Sequence, residues 1–248
     1  MHHFFVDPDY ITESQVRITG DDVKHITKSL RLGSGDEISV ADGEGRKYIV
    51  KIVETGNDLV IGEIEKEFKS KVEPEVKITL LQGLPKSKKM DLIVEKCTEL
   101  GIDTVIPAET KRSVVKLKPS KAKRRQKRWQ RKAEAAAKQS QRARIPTIGQ
   151  LMNLSNLSEI AGDYDLILIP WEEESTKSLK TSLKSVDDID KVLIIIGPEG
   201  GLAVEEVEAA KELGAKPVSL GPRILRTETA GLTTLSLVLY ELGDLGGQ

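Results

Sequence analysis

The chain has 248 residues, 38% of them hydrophobic, and a formal net charge of −1 at pH 7, which suits one large or two modest globular domains. It contains no apolar run near the roughly 18 residues that a membrane span needs and no signal-peptide pattern, so a soluble cytosolic protein is expected. A single cysteine, Cys97, excludes an internal disulfide and argues against structural zinc. The three histidines lie in no H-E-x-x-H motif, and there is no G-x-S-x-G, so metalloprotease and serine-hydrolase chemistry find no support.

The first 70 residues read as short strands broken by turns. Residues 21–32 predict a short helix. Residues 37–41, 48–54 and 59–64 predict strands, with Asp42-Gly43-Glu44-Gly45 as the hairpin turn between the first two. Residues 66–74 are charged and contain proline, which reads as a linker between a domain at 1–70 and another at 74–248. Beyond it, strand patterns at 78–81, 104–107, 166–169, 192–196 and 217–220 alternate with helical patterns at 90–100, 123–142, 204–213 and 229–242. That alternation predicts an α/β domain with a mainly parallel sheet. Cys97 sits in the first helical pattern among apolar neighbours and reads as a buried, inert thiol. Residues 179–190, polar and serine-rich, read as a surface connection.

The near-zero net charge conceals segregation. Residues 111–132 hold twelve Lys or Arg and no Asp or Glu, so the rest of the chain carries −13. Such a block is an electrostatic footprint for a polyanion, because unopposed charge repels itself unless a partner neutralises it. Trp129, inside the block, either stacks on a base or anchors the helix.

Two further stretches carry most of the chemistry. VLIIIGPEGGL (192–202) and VSLGPRILRTETA (218–230) are each a short apolar run that stops in a Gly-Pro turn and enters a helical pattern. Strand, glycine loop and helix build small-molecule sites at the C-terminal edge of parallel sheets, and two such loops suggest one pocket with two walls. Gly197, Gly200 and Gly201 allow close backbone approach. Glu199 at the loop tip, with Glu205 and Glu206 behind it, disfavours a pyrophosphate, and neither G-x-G-x-x-G nor G-K-[ST] occurs. A ligand with hydroxyls or a positive centre fits better. Arg223 and Arg226 flank the second turn. Thr227 and Thr229 stand where threonines commonly cap a helix.

GPEGGL followed by LGPRILRTETA resembles the signature of the RsmE-type family of 16S ribosomal RNA uracil-N3 methyltransferases, of the SPOUT class. QGLPKSKKMDLIVEKCTELG (82–101), KRSVVK (111–116), residues 127–148 with KRW and QSQRARIPTI, and residues 25–38 are also similar to family blocks, so the resemblance covers nearly the whole chain. The chain departs from the family at His3, where an arginine is expected; histidine contacts phosphate mainly when protonated. It departs again at residues 135–140, AAAKQS, where two family glutamates are absent.

The resemblance implies a small PUA-like β-barrel at the N-terminus that grips RNA, a C-terminal trefoil knot, a homodimer, S-adenosylmethionine as cofactor with no metal, and 16S RNA of the small ribosomal subunit as substrate. It implies a cofactor site with Ile196, Gly197, Glu199, Gly200 and Gly201 on one wall and Leu220, Gly221, Ile224, Leu225, Arg226, Thr229 and Ala230 on the other. It points to His3, Arg31, Lys86, Lys89, Arg112, Arg124, Arg125, Arg128 and Arg142 as RNA contacts. Uracil N3 must lose a proton, and negative charge spreads onto the flanking carbonyls. Arg226, permanently charged, suits stabilisation of that charge, and Glu228 is the nearest carboxylate to accept the proton or to pair with an arginine. Methylation of a ribose 2′-hydroxyl by a related enzyme, and a non-catalytic RNA-binding protein, are the alternatives.

Overall fold

Strands near the N-terminus alternate buried and exposed side chains, the pattern of a sheet with one face on a core and one in water. A computed structural model describes residues 1–248 except 187, 243, 247 and 248. In it β1 (His3–Phe5), β2 (Gln15–Thr19), β3 (Glu37–Ala41), β4 (Arg46–Thr55) and β5 (Leu59–Lys69) form a sheet of order β1-β3-β4-β5-β2. β1 runs parallel to β3 and the other pairs are antiparallel. Phe4, Val16, Ile18, Ile26, Ile38, Val50, Ile52 and Val60 form its core. The β3–β4 turn is the predicted one: the Asp42 carboxylate accepts from the backbone N–H groups of Glu44, Gly45 and Arg46 at 2.8–3.0 Å.

Three expectations change here. The predicted helix is α1 (Asp21–Lys24) followed by one π turn (His25–Ser29), and it stops before residue 32 because Arg31 adopts φ 58°. Strands β1 and β2 had no strong signal. The predicted linker starts as strand, since β5 pairs with β4 as far as Lys69 opposite Arg46.

By its internal contacts the chain divides into residues 1–73 with 137–145, and residues 74–136 with 146–248. The return of 137–145 to the first unit has a clear cause. Glu73 accepts from Arg142 Nε and Nη2 (3.1 and 2.6 Å) and from the N–H groups of Ala143 and Arg144 (2.7 and 3.0 Å). Lys138, in place of a family glutamate, pairs with Asp22 at 2.8 Å.

The second unit contains β6 (Lys77–Gly83), α2 (Lys89–Glu99), β7 (Thr104–Glu109), α3 (Pro119–Gln139, its last residues counted with the first unit), β8 (Thr147–Ile148), β9 (Met152–Asn153), β10 (Leu166–Pro170), α4 (Leu179–Leu183), β11 (Lys191–Ile196), α5 (Val204–Glu212), β12 (Lys216–Val218) and α6 (Thr227–Glu241). The sheet order is β12-β10-β11-β6-β7-β8, with β9 beside β7 and every pair parallel. Both faces are covered. Val192, Ile194 and Ile196 of β11 enter one core and Leu193 and Ile195 the other, which is why the strand reads as a continuous apolar run. Cys97 is fully buried, and desolvation pushes its thiol up to about 12. The expected surface connection at 179–190 instead holds α4, capped by the Ser178 hydroxyl on the Thr181 N–H (3.2 Å), with Leu179 and Leu183 buried; residue 187 lies outside the described residues. Among the described residues no helix is long and apolar enough to cross a membrane.

Candidate active site

Strands β10, β11 and β12 end side by side in the second unit, and the loops that leave them enclose a cavity of about 910 Å³. This is where parallel sheets place ligands. The first loop folds back over its own beginning. A Cβ on Gly197 would lie 2.7 Å from the Gly201 carbonyl carbon and 2.9 Å from the Leu202 nitrogen, so only glycine fits. Gly201 has φ 68°, with the Glu172 carboxylate against the side where a Cβ would project.

Four groups tie this loop down. The Lys86 N–H donates to Glu199 at 3.0 Å. Lys89 Nζ pairs with Glu199 and with Glu228 of the opposite wall, each at 3.1 Å. Arg112 Nη1 donates to Gly200 O at 3.0 Å, and the Thr227 hydroxyl to Gly197 O at 2.6 Å. Burial works to raise the Glu199 pKa, but its own N–H, the Lys86 N–H and the Lys89 ammonium outweigh that and hold it below the usual carboxylate range. Hydrogen bonding to Glu199, then to Glu228, raises the Lys89 pKa, so Lys89 remains an ammonium.

The expected cofactor residues largely converge. Ile196, Gly197, Glu199, Gly201, Leu220, Gly221, Ile224, Leu225, Arg226 and Ala230 all line the cavity. Gly200 and Thr229 are not among the lining residues. A Cβ on Gly200 would face Arg112 Cβ at 3.3 Å, and Thr229 is an exposed residue in the first turn of α6. Glu228 stands one ion pair behind the wall, through Lys89. Two groups were missed. Pro170, Trp171, Glu172, Glu174 and Ser175 form a third wall; its signal was the apolar run LILIP ending in Pro-Trp, a third strand end. Gln82 is fully buried and donates to Thr227 Oγ1 at 2.9 Å. Its traces were a lone polar residue closing an apolar run and its place at the head of the family block 82–101.

The expected RNA contacts separate by environment. Arg142 is 4% exposed and ion-paired to Glu73 at 2.6 Å, so its guanidinium is occupied inside the first unit. His3 is half-buried. Desolvation, then the Lys47 charge, lower its pKa to about 4 against the opposing hydrogen bond to Arg142 O. The ring is therefore neutral near pH 7 and is held by Arg142 O at 2.8 Å and Ser39 Oγ at 3.0 Å. Lys89 and Arg112 are engaged with the glycine loop. Arg128 pairs with Asp91 at 2.7 Å, and Trp129, 2% exposed, donates to the same carboxylate at 3.0 Å. Trp129 is thus a helix anchor and not a stacking platform. Arg31, Lys86 and Arg124 are exposed and Arg125 is half-buried. Among the described residues no cluster of His, Cys, Asp and Glu could hold a metal ion.

Comparison with known proteins bears on this geometry. Residues 72–239 match the model of an RNA methyltransferase domain, and residues 18–65 that of an RNA methyltransferase PUA domain. The chain is 34% identical over its full length to ribosomal RNA small subunit methyltransferase E of Bacillus subtilis, covering 99% of that protein. It is similar to a crystal structure of ribosomal RNA small subunit methyltransferase E from Neisseria gonorrhoeae bound to S-adenosyl methionine (26% identity, TM-score 0.86, 99% of this chain and 100% of that one). It is also similar to a Legionella pneumophila methyltransferase structure in complex with the same cofactor (27% identity, TM-score 0.84, 96% of each chain).

Proposed function

This chain belongs to the RNA methyltransferase family, and on that premise we propose that it methylates N3 of a specific uridine in the 16S RNA of the small ribosomal subunit. S-adenosylmethionine, the cofactor, supplies a methyl electrophile on a sulfonium centre. The cavity fits such a molecule. Ile196, Leu220, Leu225 and Ala230 offer an apolar wall beside glycine backbone, and Glu172 and Glu174 add negative charge to the lining, which suits a cationic ligand.

One observation carries the reading: Arg226 and Glu228 flank the first residue of α6, Arg226 on the cavity wall and Glu228 tied through Lys89 to Glu199 of the facing loop. The Arg226 guanidinium directs a planar pair of donors at the carbonyl oxygens that gain charge as uracil loses its N3 proton. Glu228 takes that proton, directly or through water. Lys89 holds Glu228 in place and leaves Arg226 free of it.

The test is nucleoside mass spectrometry of 16S RNA after small subunits are incubated with the protein and S-adenosylmethionine. The expected product is 3-methyluridine. A 2′-O-methylated nucleoside would assign the ribose chemistry instead, and unmodified RNA would leave only a binding protein.

Further parts of the proposal concern the assembly. The trefoil knot is supported by the last strand, β12, lying at the sheet edge while α6 returns to pack on β11, β6 and α2. A homodimer is supported by Leu237 and Tyr240 of α6, 40% and 61% exposed. RNA held by the first unit and by the basic stretch of α3 in the cytoplasm completes the reading.

A further inference from the structure

We propose that Gln82 is a positioning residue for this reaction: by donating to the Thr227 hydroxyl it forces that hydroxyl to donate to Gly197, and so holds Arg226 and Glu228 against the first glycine loop. The inference rests on the methyl-transfer reading of the site above.

Gln82 lies near the end of β6, opposite Ile196 of β11, with no solvent exposure. Its Nε2 donates to Gly83 O at 3.0 Å and to Thr227 Oγ1 at 2.9 Å, and faces Gly197 O at 3.5 Å. Both carbonyls can only accept, so the amide nitrogen must face them and the amide cannot be reversed. A hydroxyl has one proton. With Gln82 donating to it, the Thr227 proton goes to Gly197 O, 2.6 Å away.

The bond does not serve helix capping. Thr227 is the first residue of α6, the preceding Arg226 makes no side-chain cap, and the Thr227 hydroxyl reaches Gly197 O, just past the end of β11, and not an α6 amide. The start of α6 is therefore referenced to the glycine loop through one hydroxyl, and the residues on either side of that hydroxyl carry the proposed chemistry.

Stability does not account for the glutamine. Its Oε1 is buried and finds no hydrogen-bond partner among the described residues, and an unmet buried acceptor is destabilising. Methionine, similar in volume, avoids that cost but cannot orient Thr227.

Gln82→Met, Thr227→Val and Thr227→Ser test the inference in the full-length protein. Three quantities are read: amide hydrogen exchange of residues 197–202 without cofactor, S-adenosylmethionine affinity by calorimetry, and single-turnover methylation of small subunits. Gln82→Met and Thr227→Val are expected to melt no earlier than the wild type by more than a few degrees, to exchange faster at 197–202, and to transfer methyl up to about 10²-fold more slowly. RNA KM should hold and cofactor affinity should fall far less than the rate. Thr227→Ser keeps the hydroxyl and should restore both exchange and rate. Wild-type exchange and rate in Gln82→Met and Thr227→Val overturn the proposal, as does a rate loss that Thr227→Ser does not rescue. Should Gln82→Met fail to fold, the Thr227 pair decides alone. If the wild type transfers no methyl to uracil, the methyl-transfer reading fails, while the exchange measurement still reports whether the tie exists.

Discussion

Replacing Gly197 with alanine separates a glycine that shapes the pocket from a neighbour that does not. The added Cβ would stand 2.7 Å from Gly201 C and 2.9 Å from Leu202 N. Ordinary contact begins at 3.4 Å, so backbone must move by about 0.7 Å, and no flexible side chain can absorb that. Overpacking of this kind costs roughly 1–3 kcal/mol. Gly197 and Gly201 both line the cavity, so the displacement falls on the cofactor wall, and the affinity should drop by about 5- to 150-fold at about 1.4 kcal/mol per tenfold. Gly200→Ala is the control. Its Cβ would meet Arg112 Cβ at 3.3 Å, close to the 3.4 Å of ordinary contact, and Gly200 does not line the cavity, so the affinity should stay within about twofold, a few tenths of a kcal/mol. Calorimetry on both folded variants is the assay. Equal losses in the two, or wild-type affinity for Gly197→Ala, would refute the assignment of the wall.

Three other perturbations discriminate among the roles given above. Arg226→Ala should lower the single-turnover rate by about 10²–10³ with RNA and cofactor affinities nearly unchanged; an intact rate excludes charge stabilisation, and a pure binding defect reassigns Arg226 to holding RNA. Neutralising Arg124, Lys127 and Arg131 on the exposed side of α3 should flatten the salt dependence of RNA binding by about 0.7–0.9 in slope for each phosphate the protein no longer neutralises, whereas an unaltered slope shows that this side faces solvent. His3, lowered from its usual 6.5 to about 4, binds a proton less readily folded than unfolded. Its contribution to stability is present above about pH 6.5 and lost as the pH falls from there to about 4; denaturant titrations across that range should show a shallower decline for His3→Gln than for the wild type.

The sheet of the second unit was legible because its cause is local. Strands buried on both faces need unbroken apolar runs, and residues 78–81, 166–169 and 192–196 supply them. The glycine loops were legible for the same reason, since a sharp turn after such a run needs Gly and Pro at fixed offsets. Strands β1 and β2 were not, being short and dependent on pairing with β3 and β5. The division near residue 70 missed the return of 137–145 because its cause is one carboxylate, Glu73, gripping residues about 70 positions away. Nothing in either segment alone announces that bond.

The candidate site shows the same boundary more sharply. Its walls come from motifs, and its ties do not. Lys89, Arg112 and Arg142 carry positive charge, and from sequence a charge in a family block reads as an RNA contact. Folding gives each of them a partner within the chain that the sequence does not announce: Glu199 and Glu228 pair with Lys89, Gly200 O accepts from Arg112, and Glu73 pairs with Arg142. Neutral groups are further from view. Gln82 and Thr227 are 145 residues apart and carry no charge to suggest a partner. Their pairing follows from β6 lying beside β11 in the sheet, which brings the strand end holding Gln82 under the loop holding Gly197. The chemistry proposed above thus rests on residues two apart in sequence, Arg226 and Glu228, while the positioning proposed for them rests on residues that only the strand order brings together. Variants of the first kind should alter the rate in proportion to the group removed, and variants of the second should alter it through geometry.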